Sequence, residues 1–271
     1  MRPAPPERGD AGAPVLAALL FDVDGTLAET ERDGHLVAFN ESFRRLGLGW
    51  HWTEARYAGL LQVAGGRERL LADLATRADA PADAGARRAL VGELHRLKNE
   101  VYAELVRGGR LALRDGIAEL LDECRVAGFP VGIVSTTSAV NVAALLGASL
   151  GPGWRDGFAC VICGEHVPRK KPDPAAYLAA LAELGVAPGD VIAIEDSPAG
   201  LESARGAGLG VVITYSHFFP GPCQPGALAA GPSLGSGSGW TPAPARPGSR
   251  IGLRQLREWH AAGRQDRRHG S

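Results

Sequence analysis

The sequence predicts an α/β protein in which a doubly wound parallel sheet carries an inserted helical domain. Apolar runs typical of buried strands recur along the chain, and stretches with helical spacing, such as PAAYLAALAELGV, lie between the later runs. Strands that alternate with helices favour a parallel sheet covered on both faces. A long stretch of helical character separates the first strand from the second, which indicates the insertion.

Five apolar runs are predicted to form the strands, and in chain order they are VLAALLF, PVGIVS, FACVIC, DVIAIE and GVVIT. Residues 1–13 are rich in proline, and we expect them to form a disordered tail. The core domain is predicted to comprise residues 14–30 and 109–271. Residues 31–108 are predicted to form a separate helical cap domain.

A helical stripe of apolar residues begins the insertion, and its members are Leu36, Phe39, Phe43 and Leu46. The return linker, RGGRLALRDG, contains glycines that could absorb backbone rotation.

The last part of the chain combines a loop-rich segment with a helix. Residues 217–248 are rich in Gly, Pro and Ser and are predicted to be mostly loop. The following RIGLRQLREWHAA predicts a final short helix, whose buried side would comprise Ile251, Leu253, Leu256 and Trp259.

Composition excludes several classes of partner. The chain has 271 residues and a formal net charge of -1, so it offers no basic field for a nucleic acid. Its longest apolar run near the start is far too short to span a bilayer. We expect a monomer in the cytoplasm that acts on a small molecule. The two cysteines of CVIC are expected in a buried strand, since a zinc site would need a second ligand pair.

The carboxyl ends of the predicted strands carry polar side chains. The first strand ends in Asp22 and Asp24, and the fourth ends in Glu195 and Asp196. The motif STTS follows the second strand, and Lys171 lies in KKPDP before a helix. Ligands of open parallel sheets bind beyond these strand ends, so we expect the motifs to meet at one edge.

This combination of residues suits phosphoryl transfer. Four carboxylates at one edge would repel one another unless a divalent cation lay between them, and oxygen ligands of this kind suit Mg2+. Ser135 could donate to phosphate oxygens, and Lys171 could neutralise their charge. Asp22 could then attack phosphorus, while Asp24 handles the proton of the leaving oxygen.

Each motif alone has a simpler interpretation. The start of DVDGT could open a calcium loop, but Leu27 and Asp33 stand where that loop needs Gly and Glu. STTS, KPDP and EDS could each be a helix start. All four motifs occur in order at strand ends, which favours a shared site.

Together the motifs DVDGT, STTS, KKPDP and IEDSPAG resemble those of the haloacid dehalogenase superfamily, over residues 16–214. That resemblance implies a Rossmann-like core. The helical insertion resembles the cap of the branch that contains β-phosphoglucomutase. Within the insertion, LAETERDGHLVAFNESF and GGRER are similar to CbbY-type sugar bisphosphate phosphatases. This narrower resemblance implies hydrolysis of xylulose 1,5-bisphosphate, an inhibitor of Rubisco.

The resemblance also implies roles for individual residues of the core. Asp22 would be the nucleophile and Asp24 the general acid and base. Mg2+ would be held by the Asp22 side chain, the Asp24 backbone carbonyl and the Asp196 side chain, with Glu195 assisting. The transferring phosphoryl group would be held by Ser135, Thr136 and Lys171.

Cap residues would contact the sugar and its second phosphate, and they are Glu29, His35, Gly65, Gly66, Arg67 and Glu68. The subgroup pattern has lysine where this chain has Arg67, and the planar guanidinium binds phosphate differently from an ammonium. The region after Thr214 also departs from the pattern, and we expect it not to touch the chemistry.

Other activities share this core. A phosphonatase would need a cap lysine able to form a Schiff base, and Lys98 lies on a helix with an ordinary pattern. A dehalogenase would not need Asp24. A β-phosphoglucomutase-type mutase would use the same residues and remains an alternative. A sugar-phosphate sensor without activity is a second alternative, although it would be expected to have lost one of the acidic residues.

Overall fold

The computed structural model of the chain describes residues 15–221 and 225–269. The predicted disordered tail, residues 1–13, lies outside the described residues, as does Cys223. No helix within the described ranges combines the length and the apolar character needed to cross a membrane.

A six-stranded parallel sheet forms the centre of the fold, in the order β3-β2-β1-β4-β5-β6. The strands are β1 (Ala18–Phe21), β2 (Val131–Val134), β3 (Cys160–Ile162), β4 (Val191–Glu195), β5 (Gly210–Thr214) and β6 (Ala229–Gly231). In the register, Leu20 lies between Gly132 of β2 and Ala193 of β4. The carboxyl ends of β1, β2 and β4 therefore lie side by side.

The sixth strand was not among the five predicted from the sequence. Residues Ala229–Gly231 lie within the segment predicted to be mostly loop, and they carry no β-branched side chain. They pair with β5, and a Cβ atom at Gly231 would overlap the indole of Trp240. The strand thus depends on contacts with distant residues that no local pattern reveals.

Helices cover both faces of the sheet, which confirms the predicted fold class. The helices are α1 (Val37–Arg45), α2 (Glu54–Leu60), α3 (Gly66–Ala75), α4 (Ala84–Arg107), α5 (Ile117–Val126), α6 (Ala139–Leu150), α7 (Ala175–Leu184), α8 (Pro198–Gly206) and α9 (Leu253–His269). One face packs against α5, α6 and α9, and the other packs against α7 and α8. The predicted buried side of the last helix is confirmed at Leu253, Leu256 and Trp259, while Ile251 is buried just before the helix begins.

The helices α1 to α4 lie between β1 and β2 in the chain and share an apolar cluster of their own. A π-helical segment, Glu31–Leu36, leads into α1. The rings of Phe39 and Trp52 lie 4.7 Å apart, and those of Phe43 and Trp52 lie 5.1 Å apart. This packing gives the inserted helices a core separate from the two faces of the sheet.

Candidate active site

Three carboxylates gather at the carboxyl edge of the sheet. Asp22 directly follows β1, Glu195 ends β4 and Asp196 follows it. One oxygen of each residue lies within 4.8 Å of the others, and all three side chains are buried. The parallel register explains the grouping, because β1 and β4 are neighbours in the sheet.

The turn after β1 depends on a glycine. Gly25 has a φ of +84°, a region that residues with a Cβ atom rarely adopt. A Cβ atom there would also overlap the carboxylate of Asp196. Gly25 therefore lets the loop after β1 approach the acidic group closely.

Lys171 lies among these carboxylates and is buried. Its Nζ donates to Oδ1 of Asp22 at 2.7 Å, to Oε1 of Glu195 at 2.5 Å and to the carbonyl oxygen of Val134 at 2.8 Å. Burial works against its charge, but the two carboxylates outweigh burial and raise the pKa of Lys171 above its ordinary value. Lys171 is therefore a fixed positive charge at this edge.

One lysine does not balance three carboxylates. Burial raises the pKa of Asp22 to about 8, with a further contribution from Glu195, and it raises the pKa of Asp196 well above its ordinary value. Oε2 of Glu195 is buried and has no hydrogen-bond partner among the described residues. A divalent cation would supply both the missing charge and the missing partner, so these residues fit a metal site.

The Asp24 carboxylate is not one of the three. Its Oδ1 accepts a 2.5 Å hydrogen bond from Thr30 and lies 3.0 Å from Nε2 of His35. Burial raises the pKa of a carboxyl group, but the His35 ring and these hydrogen bonds outweigh it, and the pKa of Asp24 falls to about 2. The predicted crowding of four carboxylates is therefore corrected to three, with Asp24 held separately.

His35 is buried, and its ring lies 4.5 Å from that of Tyr102 between ring centres. The sequence predicted that His35 contacts the substrate. The structure places its Nε2 on Asp24, a neighbour that the sequence did not predict for it.

Lys98 is a buried charge that the sequence interpretation missed. Its Nζ lies 5.3 Å from the ring centres of both Phe39 and Tyr102. Burial lowers the pKa of Lys98 to about 8, while the charge of Asp24 partly opposes that change. The expectation of an ordinary helix lysine is wrong. The available signal was that Lys98 interrupts the apolar face of α4 formed by Leu94 and Val101.

The residues after β2 lie at the same edge. Ser135 is buried, its backbone N–H donates to the carbonyl oxygen of Ile162, and its Oγ accepts from the N–H of Thr137 at 3.1 Å. Thr136 is half-buried in the same loop.

The predicted cap segment from Gly65 to Glu68 begins α3 and reaches the core through one ion pair. Oε1 of Glu68 lies 2.7 Å from Nζ of Lys170, the residue before Lys171. Gly65 has a φ of +96°, and a Cβ atom there would overlap both members of the pair. Gly66 is the first residue of α3. The ion pair therefore sits in a space that only glycine leaves open.

Arg67 points to α4 rather than to the carboxylates. Its Nε donates to Nδ1 of His95 at 3.3 Å. Burial, followed by nearby positive charges, lowers the pKa of His95 to about 4, so its ring is neutral at pH 7 and can accept this bond. The structure therefore does not bring Arg67 into contact with the acidic group.

The region after Thr214 contacts the site, contrary to expectation. Oγ of Ser216 donates to Oδ2 of Asp196 at 2.6 Å. The backbone N–H of His217 donates to Oε2 of Glu29 at 3.4 Å, and Oε1 of Glu29 lies 3.5 Å from Nε of Arg114. The loop after β5 approaches because β5 is the neighbour of β4 in the sheet, which the local composition does not reveal.

Comparison with known proteins identifies the family. The model of the haloacid dehalogenase-like hydrolases matches residues 16–208. The chain is a haloacid dehalogenase-like hydrolase. CbbY from a plasmid of Cupriavidus necator is 43% identical over 250 residues, which cover 90% of this chain and 97% of that protein. CbbY from Rhodobacter capsulatus is 43% identical, over 76% of this chain and 88% of that protein.

Solved structures agree with this assignment. A mutant of Rhodobacter sphaeroides CbbY, crystallised with xylulose 1,5-bisphosphate, is 36% identical and has a TM-score of 0.78, over 89% of this chain and 99% of that chain. CbbY from the same organism with bound phosphate has a TM-score of 0.73 and 40% identity, over 79% of this chain and 92% of that chain. This hydrolase is thus an enzyme of the phosphatase type.

Proposed function

We propose that this hydrolase is a Mg2+-dependent phosphatase that removes one phosphate from a sugar bisphosphate, with xylulose 1,5-bisphosphate as the favoured substrate. The main support is the placement of Asp22, which lies buried against Lys171 beside two further carboxylates. The similarity to a CbbY that was crystallised with xylulose 1,5-bisphosphate supports the choice of sugar. We further propose that the enzyme acts as a monomer in the cytoplasm.

The metal would be held by the side chains of Asp22 and Asp196 and the backbone carbonyl of Asp24, with Glu195 assisting. When bound, Mg2+ would neutralise the crowded carboxylates and the oxygens of the transferring phosphate. The buried and unpartnered Oε2 of Glu195 supports this site.

In the first step, an oxygen of Asp22 attacks phosphorus, and the bond from phosphorus to the sugar oxygen breaks. Lys171 and Ser135, with Thr136 beside it, hold the phosphoryl oxygens, and Asp24 gives a proton to the leaving oxygen. The pKa of Asp24 is about 2 without substrate. The arriving phosphate dianion raises that pKa, because a like charge disfavours the ionised carboxyl group.

In the second step, water attacks the phosphorus of the aspartyl-phosphate and Asp22 leaves as a carboxylate. Asp24, now ionised, takes the proton of the attacking water. The hydrogen bond from Thr30 and the contact with His35 hold its carboxylate in place for this role.

The cap residues Glu29, His35 and Arg67 are proposed to recognise the sugar and its second phosphate. Gly65, Gly66 and Glu68 belong to the same proposed surface. Arg67 donates to the neutral ring of His95, has no ion pair among the described residues and lies exposed, so its charge is available to an anionic substrate. Cap closure would bring it over the substrate.

The test is phosphate release from a panel of sugar monophosphates and bisphosphates, with Mg2+ and with EDTA. We expect Mg2+-dependent release that strongly favours xylulose 1,5-bisphosphate. Equal release across the panel would contradict the substrate assignment. Conversion of a hexose 1-phosphate to its 6-phosphate without release would contradict hydrolysis and favour a mutase.

The role of Arg67 is tested on the same panel. Arg67→Ala should raise the KM for a bisphosphate far more than the KM for a monophosphate. Arg67→Lys, which keeps the charge, is the matched control. Equal effects of Arg67→Ala on both substrates would remove Arg67 from the second phosphate site.

A further inference from the structure

Tyr177 is a buried residue of α7 that neither the motifs nor the proposed mechanism uses. Its ring packs in the apolar cluster on one face of the sheet. Its hydroxyl donates to Oε1 of Glu195 at 2.5 Å. A phenylalanine would fill the same space, and a buried hydroxyl is tolerated only when it finds a partner. Packing therefore explains the ring but not the hydroxyl.

The oxygen that accepts from Tyr177 also accepts from Lys171, at 2.5 Å. Nζ of Lys171 lies 5.1 Å from the ring centre of Tyr177, within the range of a cation–π contact. Tyr177 thus contacts both members of the buried ion pair, the Glu195 carboxylate and the Lys171 ammonium group. Two donors on one oxygen fix the orientation of the Glu195 carboxylate.

The second oxygen of Glu195 accepts no hydrogen bond in this arrangement. Oε2 is buried without a hydrogen-bond partner among the described residues. Gly200, in the first turn of α8, leaves room for the carboxylate, because a Cβ atom there would overlap it. Glu195 is therefore held at Oε1 by two donors, while Oε2 packs against Gly200 without a hydrogen bond.

We propose that Tyr177 is a positioning residue for the cation site, which it orients through Glu195 and Lys171. By donating to Oε1, its hydroxyl holds the Glu195 carboxylate beside Asp22 and Asp196, and it keeps Lys171 between Asp22 and Glu195. This inference rests on the metal site of the proposed function. Groups that orient metal ligands typically change metal affinity by about 10-fold to 100-fold when they are removed.

The first test measures direct binding of Mn2+, which is detected through the electron paramagnetic resonance signal of the free ion. Mg2+ is added as a competitor. Tyr177→Phe keeps the ring and removes the hydroxyl, and we expect its dissociation constant for Mn2+ to rise by about 10-fold or more. Tyr57→Phe is the matched control, because Tyr57 is a buried tyrosine that donates to a glutamate, Glu31, in the inserted helices. Its affinity for Mn2+ should stay within about two-fold of the wild type.

A second pair of variants tests the same carboxylate without touching Tyr177. Gly200→Ala adds a methyl group against Glu195 and should also weaken Mn2+ binding. Gly206→Ala in the same helix is its control, because a Cβ atom there would lie at an ordinary 3.5 Å from Pro174. Melting curves in EDTA serve to check that each variant is folded.

Unchanged Mn2+ affinity in Tyr177→Phe would overturn the proposal, as would an equal loss in Tyr57→Phe or no Mn2+ binding by the wild type. Phosphate release by the wild type is measured separately. If the wild type binds Mn2+ but hydrolyses no sugar phosphate, the proposed function fails while the comparison of Tyr177→Phe with Tyr57→Phe still decides the role of Tyr177.

Discussion

The carboxyl edge of the sheet and the seam between the inserted helices and the core are both polar, but they are built differently. At the edge, Asp22 and Lys171 expose 9% and 5% of their side chains, and Lys171 has three partners. At the seam, Glu68 and Lys170 expose 45% and 23% and form one ion pair. The charged groups of the edge are enclosed and have several partners, whereas this charged pair of the seam is partly exposed and is a single contact.

The difference shows which part of the site is fixed. Breaking one partner of a buried charge pair leaves an uncompensated charge and costs several kcal/mol, so the edge keeps its geometry. An exposed ion pair contributes only about 0–1 kcal/mol, so loss of the pair between Glu68 and Lys170 costs little. We therefore expect changes at the edge to affect the chemical step and changes at the seam to affect cap closure.

The largest effect is expected at the edge, for Asp22→Asn. The change keeps the shape of the side chain but removes the proposed nucleophile, so phosphate release should fall by at least about 10³-fold. The pKa of Asp22 is raised to about 8 by burial, so at neutral pH its ionisation is unfavourable in the metal-free fold. Lys171 keeps Glu195 as its partner in this variant, so its charge is not left unpaired, and the melting temperature in EDTA should be no lower than that of the wild type. Retained turnover would contradict the assigned nucleophile.

Lys98 belongs to the inserted helices but is buried like the residues of the edge. We expect Lys98→Met to lower kcat by more than ten-fold, since it removes a positive charge that acts on Asp24. Lys170→Met, which removes a half-buried lysine at the seam, is the control and should lower kcat much less. Equal losses of kcat in Lys98→Met and Lys170→Met would show that the buried position of Lys98 has no special role.

The same variant has a predicted dependence on pH. The pKa of Lys98 is about 8 in the fold, against an ordinary value of 10.5, so between these values the unfolded chain binds more protons. The free energy of unfolding of the wild type should therefore rise with pH across this window, and Lys98→Met should lack that rise. Denaturant unfolding at several pH values measures this free energy. An equal dependence on pH in the wild type and in Lys98→Met would contradict the lowered pKa of Lys98.

An apolar contact at the seam should have an intermediate effect. The ring of Phe218, from the loop after β5, lies 5.6 Å from the ring of Tyr57 between centres. Phe218→Ala should raise the KM several-fold with a smaller change in kcat, because it weakens closure rather than chemistry. Phe219→Ala is the neighbouring control, since that ring makes no aromatic contact within the described part of the chain. A loss confined to kcat would contradict this assignment.

The smallest effect is expected for the ion pair between Glu68 and Lys170. Glu68→Gln should change the KM by no more than about five-fold, in line with an exposed pair. Exchange of the two charges, in Glu68→Lys with Lys170→Glu, should restore part of the loss. Glu100→Gln removes an exposed pair within α4 and serves as control. No recovery in the exchanged variant would mean that Glu68 acts on the substrate and not through Lys170.

Much of the edge could be predicted from the sequence, because a parallel sheet brings the ends of its strands together. Asp22, Glu195 and Asp196 each lie at a strand end, so the apolar runs that predict the strands were enough to place them. The resemblance of the motifs also gave the family correctly.

The contacts that the sequence could not give join segments that are distant in the chain. Ser216 reaches Asp196 only because β5 lies beside β4. Lys98 was judged by the pattern of its own helix, although its burial depends on Phe39 and Tyr102 around it. The orientation of the Asp24 side chain likewise depends on Thr30 and His35, which spacing alone does not fix.

The most direct test of the account is to find the phosphoryl group on the enzyme. Asp24→Asn lacks the proposed base for the second step, and the acetate that leaves acetyl phosphate needs no proton from Asp24 in the first, so mixing the variant with acetyl phosphate and Mg2+, followed by acid quench and mass spectrometry, should trap the intermediate. We expect one phosphoryl group on the peptide that contains Asp22 and none in Asp22→Asn. Turnover of the wild type with no adduct on Asp22 under these conditions would contradict it.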